Sequence, residues 1–228
     1  MTLQSLLNRL LLRDPNMQPS LCYSQEGEDL VLDRMLEQKA EGFYVDVGAH
    51  HPARFSNTYL FYRRGWRGIN IDAMPGSMRK FERVRPRDIN IECGVADRAG
   101  KLTYHRFNEP ALNTFDVAEA RLKNKPPYQL LDTVEVSVER LDFLLERHLP
   151  AGQGIDFLSV DVEGYDLKVV KSNDWTRFRP AYVLVESLDS SLASVDKSPI
   201  NIFLAGQGYV LYAKTVNTLF YRTETQKP

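Results

Sequence analysis

The sequence has few cysteines, no excess charge of either sign and no long hydrophobic run. Its 228 residues include two cysteines, Cys22 and Cys93, which are too few and too far apart to indicate a disulfide framework or a zinc site. The 29 basic and 30 acidic residues balance, so charge gives no indication of a nucleic-acid partner. No apolar run reaches the roughly 20 residues that span a bilayer. We therefore expect a reduced, cytoplasmic protein without a transmembrane segment.

Residues 1–22 are predicted to form an N-terminal helical extension, and residues 23–228 to form the main domain. The stretch from Leu3 to Leu12 has a Leu-rich helical periodicity, and no cleavage-like site follows it. Such a helix would either dock against other protein, for example in a homodimer, or lie on a membrane surface. Both alternatives stay open.

Predicted helices and strands alternate along the main domain, which indicates an α/β fold with a mostly parallel sheet. The short connection near the end indicates that the last strand is antiparallel. The predicted helices are 26–37, 56–64, 75–84, 139–149, 166–171 and 199–205. The predicted strands are 43–47, 68–72, 89–95, 101–107, 133–138, 155–162, 181–185, 208–213 and 218–222.

Residues 108–128 have no clear periodicity. A segment of this length without regular structure is usually functional or mobile in a compact domain. We therefore predict a lid loop here, in which Asn113, Thr114 and Phe115 lie over an acceptor.

Two predicted strands end in an acid close to a turn, a pattern typical of nucleoside binding. The apolar strand Phe43–Val47 leads into Gly48, where the chain can turn sharply and a ligand can approach closely. The next strand ends at Asp72, where α/β folds commonly bind a ribose diol.

The turn at Gly48 limits which nucleoside cofactor could bind. It has one glycine followed by Ala49, His50, His51 and Pro52, whereas dinucleotide enzymes use several glycines to approach a pyrophosphate. The Gly-Lys-Ser/Thr of a phosphate loop is also missing. S-adenosylmethionine, a nucleoside without phosphates, fits this turn better.

The chain resembles the FkbM family of S-adenosylmethionine-dependent O-methyltransferases in a set of motifs that occur in the same order and spacing. The resemblance implies a class I methyltransferase fold, which is Rossmann-like: a seven-stranded sheet, its last strand antiparallel, with helices on both faces. It also implies methyl transfer to hydroxyls of sugars, polysaccharides or macrolides. The turn after Gly48 departs from the second glycine of many methyltransferases. The matching motifs are 24–29, 45–50, 56–58 with 65–66, 68–73, 137–145 and 161–164.

The resemblance assigns most candidate cofactor residues. Asp72 is predicted to accept hydrogen bonds from both ribose hydroxyls. Asp46 is predicted either to orient the methionine ammonium or to be a buried acid that holds the turn. Gln25 and Glu28 would lie near the methionine end, or would cap the following helix. The remaining candidates are Val47, Gly48, Ala49, Asn57, Ala73, Gly94, Val95, Asp97 and Asp161, with Gly94 to Asp97 near the adenine.

Four residues are predicted to carry the chemistry. Asp161 and Glu163 lie two residues apart at a strand end, so their side chains should point the same way. Glu186 ends the neighbouring strand and either joins them or lies at a solvated rim. The three carboxylates could hold Mg²⁺. His51 is a candidate general base or, alternatively, a helix-entry residue bonded to backbone.

These observations predict an O-methyltransferase that uses S-adenosylmethionine and a carbohydrate acceptor, such as a cell-surface polysaccharide precursor. A nicotinamide-dependent sugar oxidoreductase is one alternative, against which the single-glycine turn argues. A catalytically silent cofactor-binding domain in a glycan-assembly complex is another.

Overall fold

The computed structural model describes residues 20–188 and 191–224. The predicted N-terminal helix at 3–12 therefore lies outside the described residues. The described helices are α1 Glu28–Met35, α2 Tyr59–Arg63, α3 Met78–Val84, α4 Val117–Lys123, α5 Leu141–His148, α6 Asp166–Lys171 and α7 Pro199–Gly206, with 3₁₀ turns at Pro110–Leu112 and Val195–Lys197. No described helix is long and apolar enough to cross a membrane.

Within the described part of the chain, ten strands form two sheets. The strands are β1 Phe43–Val47, β2 Arg67–Asp72, β3 Ile89–Glu92, β4 Gly94–Val95, β5 Gly100–Phe107, β6 Leu130–Glu139, β7 Phe157–Val160, β8 Tyr182–Glu186, β9 Tyr209–Lys214 and β10 Thr218–Thr223. The larger sheet has the order β3-β2-β1-β7-β8-β10-β9. In this sheet β3, β2, β1, β7 and β8 pair in parallel with one another. Strand β10 is antiparallel to both of its neighbours, β8 and β9. The predicted α/β fold of the class I methyltransferase type is confirmed.

The larger sheet is covered on both faces because its central strands are apolar on both sides. Strand β1 is buried along its whole length. Val45 and Val47 pack in the core that α5, α6 and α7 cover. Tyr44, on the other face, packs in a second core with Phe61 of α2 and Phe157 of β7. The carboxyl ends of the parallel strands therefore open at one edge between two helical layers.

The second sheet has three strands, in the order β4-β6-β5, and was not predicted. The strand predicted at 89–95 divides because the Cys93 N–H still bonds to the Asp72 carbonyl, whereas Gly94 pairs with Val138 of β6. This change of partner directs the chain away from β2. The second sheet therefore begins beside the carboxyl end of β2.

The segment 108–128 is more ordered than its sequence indicated. It contains the 3₁₀ turn and α4, whose first turn is capped by Asp116 accepting from the Ala118 and Glu119 N–H groups. The prediction of a segment without regular structure was wrong, because side-chain capping and contacts with β5 replace periodicity here. Several other predicted bounds differ from the structure by two or three residues. The helices predicted at 26–37, 56–64 and 75–84 begin later, and the strand predicted at 133–138 is longer.

Phe157 gives a test of the core on the α1 and α2 face. Its fully buried ring lies 5.0 Å from the Phe61 ring and 6.1 Å from the Trp66 ring. We expect Phe157→Ala to lower the free energy of unfolding in urea by about 3–5 kcal/mol, because it leaves a cavity. Phe143→Ala is the control, since that side chain is 58% exposed and its loss should change stability by less than about 0.5 kcal/mol. Equal losses in the two variants would contradict this view of the core.

Candidate active site

The turn after β1 is pressed against the end of β7, and Gly48 makes this contact possible. Gly48 has a φ of 82°, and a Cβ there would overlap the carbonyl oxygen of Asp161. The N–H groups of Gly48 and Ala49 donate to the Ile71 carbonyl of β2, at 2.9 and 3.1 Å. Only glycine combines this conformation with so close an approach. The turn therefore joins the ends of three neighbouring strands.

A cleft opens at these strand ends. One side is formed by β1 and its turn, the floor by the ends of β2 and β4, and the far side by residues 161–163. Seven of the predicted cofactor residues line it, namely Val47, Gly48, Asp72, Ala73, Gly94, Val95 and Asp161. We call it the donor cleft.

Backbone N–H groups hold both carboxylate oxygens of Asp72, an acid that lines the donor cleft. One carboxylate oxygen accepts from the His50 N–H at 2.8 Å, and the other accepts from the Met74 N–H at 2.8 Å. Burial raises the pKa of Asp72, and these backbone hydrogen bonds oppose that rise. Each oxygen keeps a further lone pair, so the fixed carboxylate can accept two hydrogen bonds from a diol.

Aromatic residues of the second sheet and the following segment cover the donor cleft. The Phe115 ring lies 4.7 Å from Tyr104 and 5.8 Å from Tyr165. A Cβ at Gly94 would lie 2.6 Å from the Phe115 ring. Phe115 therefore covers the predicted adenine side of the donor cleft, a different place from the acceptor assigned to it by the lid prediction. Tyr104 had no signal in the sequence beyond its place in a predicted strand.

A second cleft adjoins the donor cleft. Asp161 and Glu163 line both clefts. The second cleft also brings together four further predicted residues, Gln25, Glu28, Asn57 and Glu186. We call it the acid cleft. Its other lining residues with polar side chains are Glu26, Lys123, Asn217 and Thr218.

Three carboxylates meet in the acid cleft and are partly neutralised there. The oxygens of Asp161, Glu163 and Glu186 lie within 4.8 Å of one another. Glu163 forms an ion pair with Lys123, and Asp161 is hydrogen-bonded to Glu186. Two carboxyl groups can share such a bond only when one of them holds a proton.

Burial is the largest cause of the raised pKa of both Asp161 and Glu186, and Glu163 and Asp166 raise both pKa values further. The hydrogen bond from Glu186 lowers the pKa of Asp161. The pKa of Glu163 is also raised by burial, but the Lys123 ammonium opposes the rise. The acid cleft thus contains one ammonium–carboxylate pair and two further carboxyl groups, Asp161 and Glu186, whose pKa values are raised. Lys123 was missed by sequence reasoning because it lies on α4, in the segment without periodicity.

A family model described as the methyltransferase FkbM domain matches residues 46–211. The chain belongs to the FkbM methyltransferase family. The matched range begins at Asp46 of β1 and ends within β9. It includes Asp72, Asp161 and Glu186. No curated protein and no solved structure matches the chain.

His51 lies away from the acid cleft of this methyltransferase. Its Nδ1 accepts from the Ala53 N–H at 3.1 Å and the Arg54 N–H at 3.0 Å. It lines a separate cleft with Arg54 and Lys80. Burial and these two cations lower its pKa. The contacts correspond to the backbone-bonded alternative, and the structure does not bring His51 together with the three acids.

Three predicted cofactor residues of the methyltransferase lie outside both clefts. Asp46 is buried and accepts from the Thr58 hydroxyl at 2.7 Å. Asp97 is exposed, and its carbonyl accepts from Arg140. Ala49 packs against α3. Within the described residues, the structure therefore brings the other predicted cofactor residues to the two clefts but not these three side chains, and their cofactor contacts stay a prediction.

Proposed function

We propose that this methyltransferase transfers the methyl group of S-adenosylmethionine to a hydroxyl of a sugar or cell-surface polysaccharide precursor. The observation that carries this proposal is that the donor cleft and the acid cleft meet at Asp161 and Glu163. A donor in one cleft and an acceptor in the other would then meet beside carboxyl groups that can take a proton.

The donor cleft suits adenosine. The fixed carboxylate of Asp72 can accept from both ribose hydroxyls, and the apolar surface around Gly94 and Phe115 suits a flat base. The methionine end would lie toward the turn at Gly48. This turn has one glycine in place of the several that approach a pyrophosphate, which argues against a nicotinamide dinucleotide.

The acid cleft suits an acceptor with several hydroxyls. Its carboxyl, amide and hydroxyl groups offer both donors and acceptors, which is the chemistry that recognises sugars. In the transfer, the acceptor oxygen forms a bond to the methyl carbon while the bond from that carbon to sulfur breaks. The sulfonium becomes a neutral thioether, and the hydroxyl proton passes to the Asp161–Glu186 pair.

This proton transfer fits the environment of the acid pair. A carboxylate whose pKa is raised by burial is a stronger base than one in water, and Asp161 and Glu186 both have raised pKa values. Alignment of oxygen, carbon and sulfur would supply much of the remaining rate. A catalytically silent domain would not need this pair, which places two acids in a buried cleft at a cost in desolvation.

The three carboxylates have the oxygen chemistry of a Mg²⁺ site, but the site already contains positive charge. The Lys123 ammonium is bonded to Glu163, and Asp161 and Glu186 share a proton. A metal ion bound to all three residues would have to displace both. We therefore propose that Lys123 supplies the countercharge, and we derive no step through a metal.

Calorimetry tests the donor. We expect S-adenosylhomocysteine to bind and NAD to show no binding. In Asp72→Asn, loss of the charged acceptor should weaken S-adenosylhomocysteine roughly 10- to 100-fold, the equivalent of a charged hydrogen bond. Glu92→Gln is the matched control, because Glu92 is an exposed acid at the end of the neighbouring strand β3. Unchanged affinity in Asp72→Asn, or tight binding of NAD, would contradict the proposal.

The pH dependence of methyl transfer tests the acid pair. Because the pKa of Asp161 is raised, kcat/KM should rise with pH as the pair loses its second proton. Asp161→Asn should lower kcat roughly 10²- to 10⁴-fold while S-adenosylhomocysteine still binds. Glu186→Met should move the acidic limb to higher pH, because it removes the hydrogen bond from Glu186 that lowers the Asp161 pKa.

Glu119→Gln is the control for that series, because Glu119 lies on α4 and interacts with Glu163 but not with Asp161. Its acidic limb should match that of the unsubstituted protein. An acidic limb of the pH profile that stays in place in Glu186→Met would show that the pair does not accept the proton.

Chelation tests the countercharge. We expect the methyl-transfer rate to survive treatment with EDTA within about twofold, and Lys123→Met to lower it by at least roughly tenfold because Glu163 loses its partner. Lys125→Met, in an exposed lysine of the same segment, should leave the rate unchanged. Loss of transfer in EDTA with recovery on adding Mg²⁺ would favour the metal site instead.

A further inference from the structure

Arg85, which follows α3, is a fully buried cation. Its side chain is not exposed, and its Nε donates to Asp88 at 2.8 Å. Asp88 also accepts from the Gly68 N–H at 3.0 Å and from the Asn70 amide at 2.9 Å. A buried ion pair persists when its remaining hydrogen-bonding groups are satisfied. One edge of the guanidinium is thereby fixed by Asp88.

The other edge of the guanidinium reaches toward the turn after β1. Its Nη2 donates to the Tyr44 hydroxyl at 2.7 Å and to the Thr58 hydroxyl at 2.9 Å. Thr58 has one hydroxyl hydrogen, which it donates to Asp46 at 2.7 Å. The Thr58 hydroxyl therefore links the Arg85 guanidinium to the Asp46 carboxylate by two consecutive hydrogen bonds.

Ser159 of β7 lies beside Asp46 in the register of the two strands, and a hydrogen bond from its side chain lowers the Asp46 pKa. An ionised carboxylate can only accept, so Ser159 must give its one hydrogen to Asp46. The Ser159 oxygen is then free to accept, and Asn57 Nδ2 donates to it at 3.1 Å. The direction of each hydrogen bond from Arg85 to Asn57 is thus set by the charges of Arg85 and Asp46.

This direction decides which end of the Asn57 amide faces the acid cleft. Because the Asn57 nitrogen donates to Ser159, the carbonyl oxygen at the other end of the planar amide is left for the cleft that Asn57 lines with Asp161 and Glu163. The orientation of an amide is assigned from its hydrogen-bond network, and here that network ends at a buried cation.

We propose that Arg85, Thr58, Asp46 and Ser159 form a positioning relay that fixes Asn57 with its carbonyl oxygen toward the acid cleft. That oxygen accepts a hydrogen bond from the ammonium group at the methionine end of the methyl donor. An ammonium has three donors and no acceptor, so the reversed amide would present hydrogens to it and repel it. This inference rests on the proposed function.

The relay depends on the ionisation of Asp46. Neighbouring groups shift the Asp46 pKa in opposite directions. Burial is the largest cause that raises its pKa, and Asp72 at the end of β2 adds to the rise. Asp161, after β7, is a further acid that interacts with it. Arg85, Thr58 and Ser159 lower the pKa. Removing the Thr58 hydroxyl would let Asp46 keep its proton to higher pH, and a protonated Asp46 no longer fixes Ser159 or Asn57.

The test is calorimetry with S-adenosylhomocysteine, which retains the ammonium, on the whole chain between about pH 6 and pH 9. In Thr58→Val we expect binding at least roughly tenfold weaker at the acidic end, with the deficit narrowing as pH rises. Thr58→Ser, which keeps the hydroxyl, should bind within about threefold of the unsubstituted protein at every pH. A role in stability alone would lower Tm and leave the pH profile unchanged.

Ser159→Ala supplies a second signature and decides the matter if Thr58→Val does not fold. It frees Asn57 without changing the Thr58 contact, so binding should weaken at all pH values by a similar factor. Wild-type-like affinity in Ser159→Ala, or a Thr58→Val profile parallel to that of the unsubstituted protein, would overturn the relay alone. If the unsubstituted protein does not bind S-adenosylhomocysteine, the proposed function and the relay both fall.

Discussion

The close contact between Gly48 and the Asp161 carbonyl is the constraint on which both clefts depend. The Asp161 N–H donates to the Val47 carbonyl at 3.0 Å, and no side chain fits between the turn and the end of β7. The donor side and the reacting acids are therefore set by the register of two neighbouring strands. The apolar faces of β1 and β7 fix that register. Packing in the core therefore sets the relative position of the two clefts.

The buried charges on the two sides of this contact are balanced by different means. On one side, Arg85 is paired with Asp88 and supports Asp46 through Thr58. On the other, Lys123 is paired with Glu163. Asp161 and Glu186 have no cation of their own among these contacts, and burial raises the pKa of both. The uncompensated acid pair is the one next to the proposed acceptor, which is where a proton acceptor is needed.

Strand ends could be predicted from the sequence because each signal is local. A buried apolar run followed by an acid or glycine located β1 at 43–47, and helix α6 at 166–171 was also placed correctly. The second sheet could not be found in this way, since β4 has only two residues and depends on pairing with β6 some 40 residues later. The position of Lys123 and the orientation of Asp46 likewise depend on contacts between elements that are distant in the sequence. Hydrophobic periodicity carries no information on such contacts.

The segment after β5 ties the two clefts together, and this has a consequence for specificity. Phe115 covers the donor cleft, the Thr114 hydroxyl donates to the Glu163 carbonyl at 2.8 Å, and Lys123 is bonded to the Glu163 side chain. Glu163 itself has a φ of 56°, a conformation that costs a non-glycine residue of order 1 kcal/mol and persists only when neighbouring contacts hold it. A change in this segment would therefore alter the position of Glu163 in both clefts at once. The parallel sheet positions the donor cleft, whereas the Glu163 side of the acid cleft depends on a segment whose structure comes from its contacts and not from its own sequence pattern.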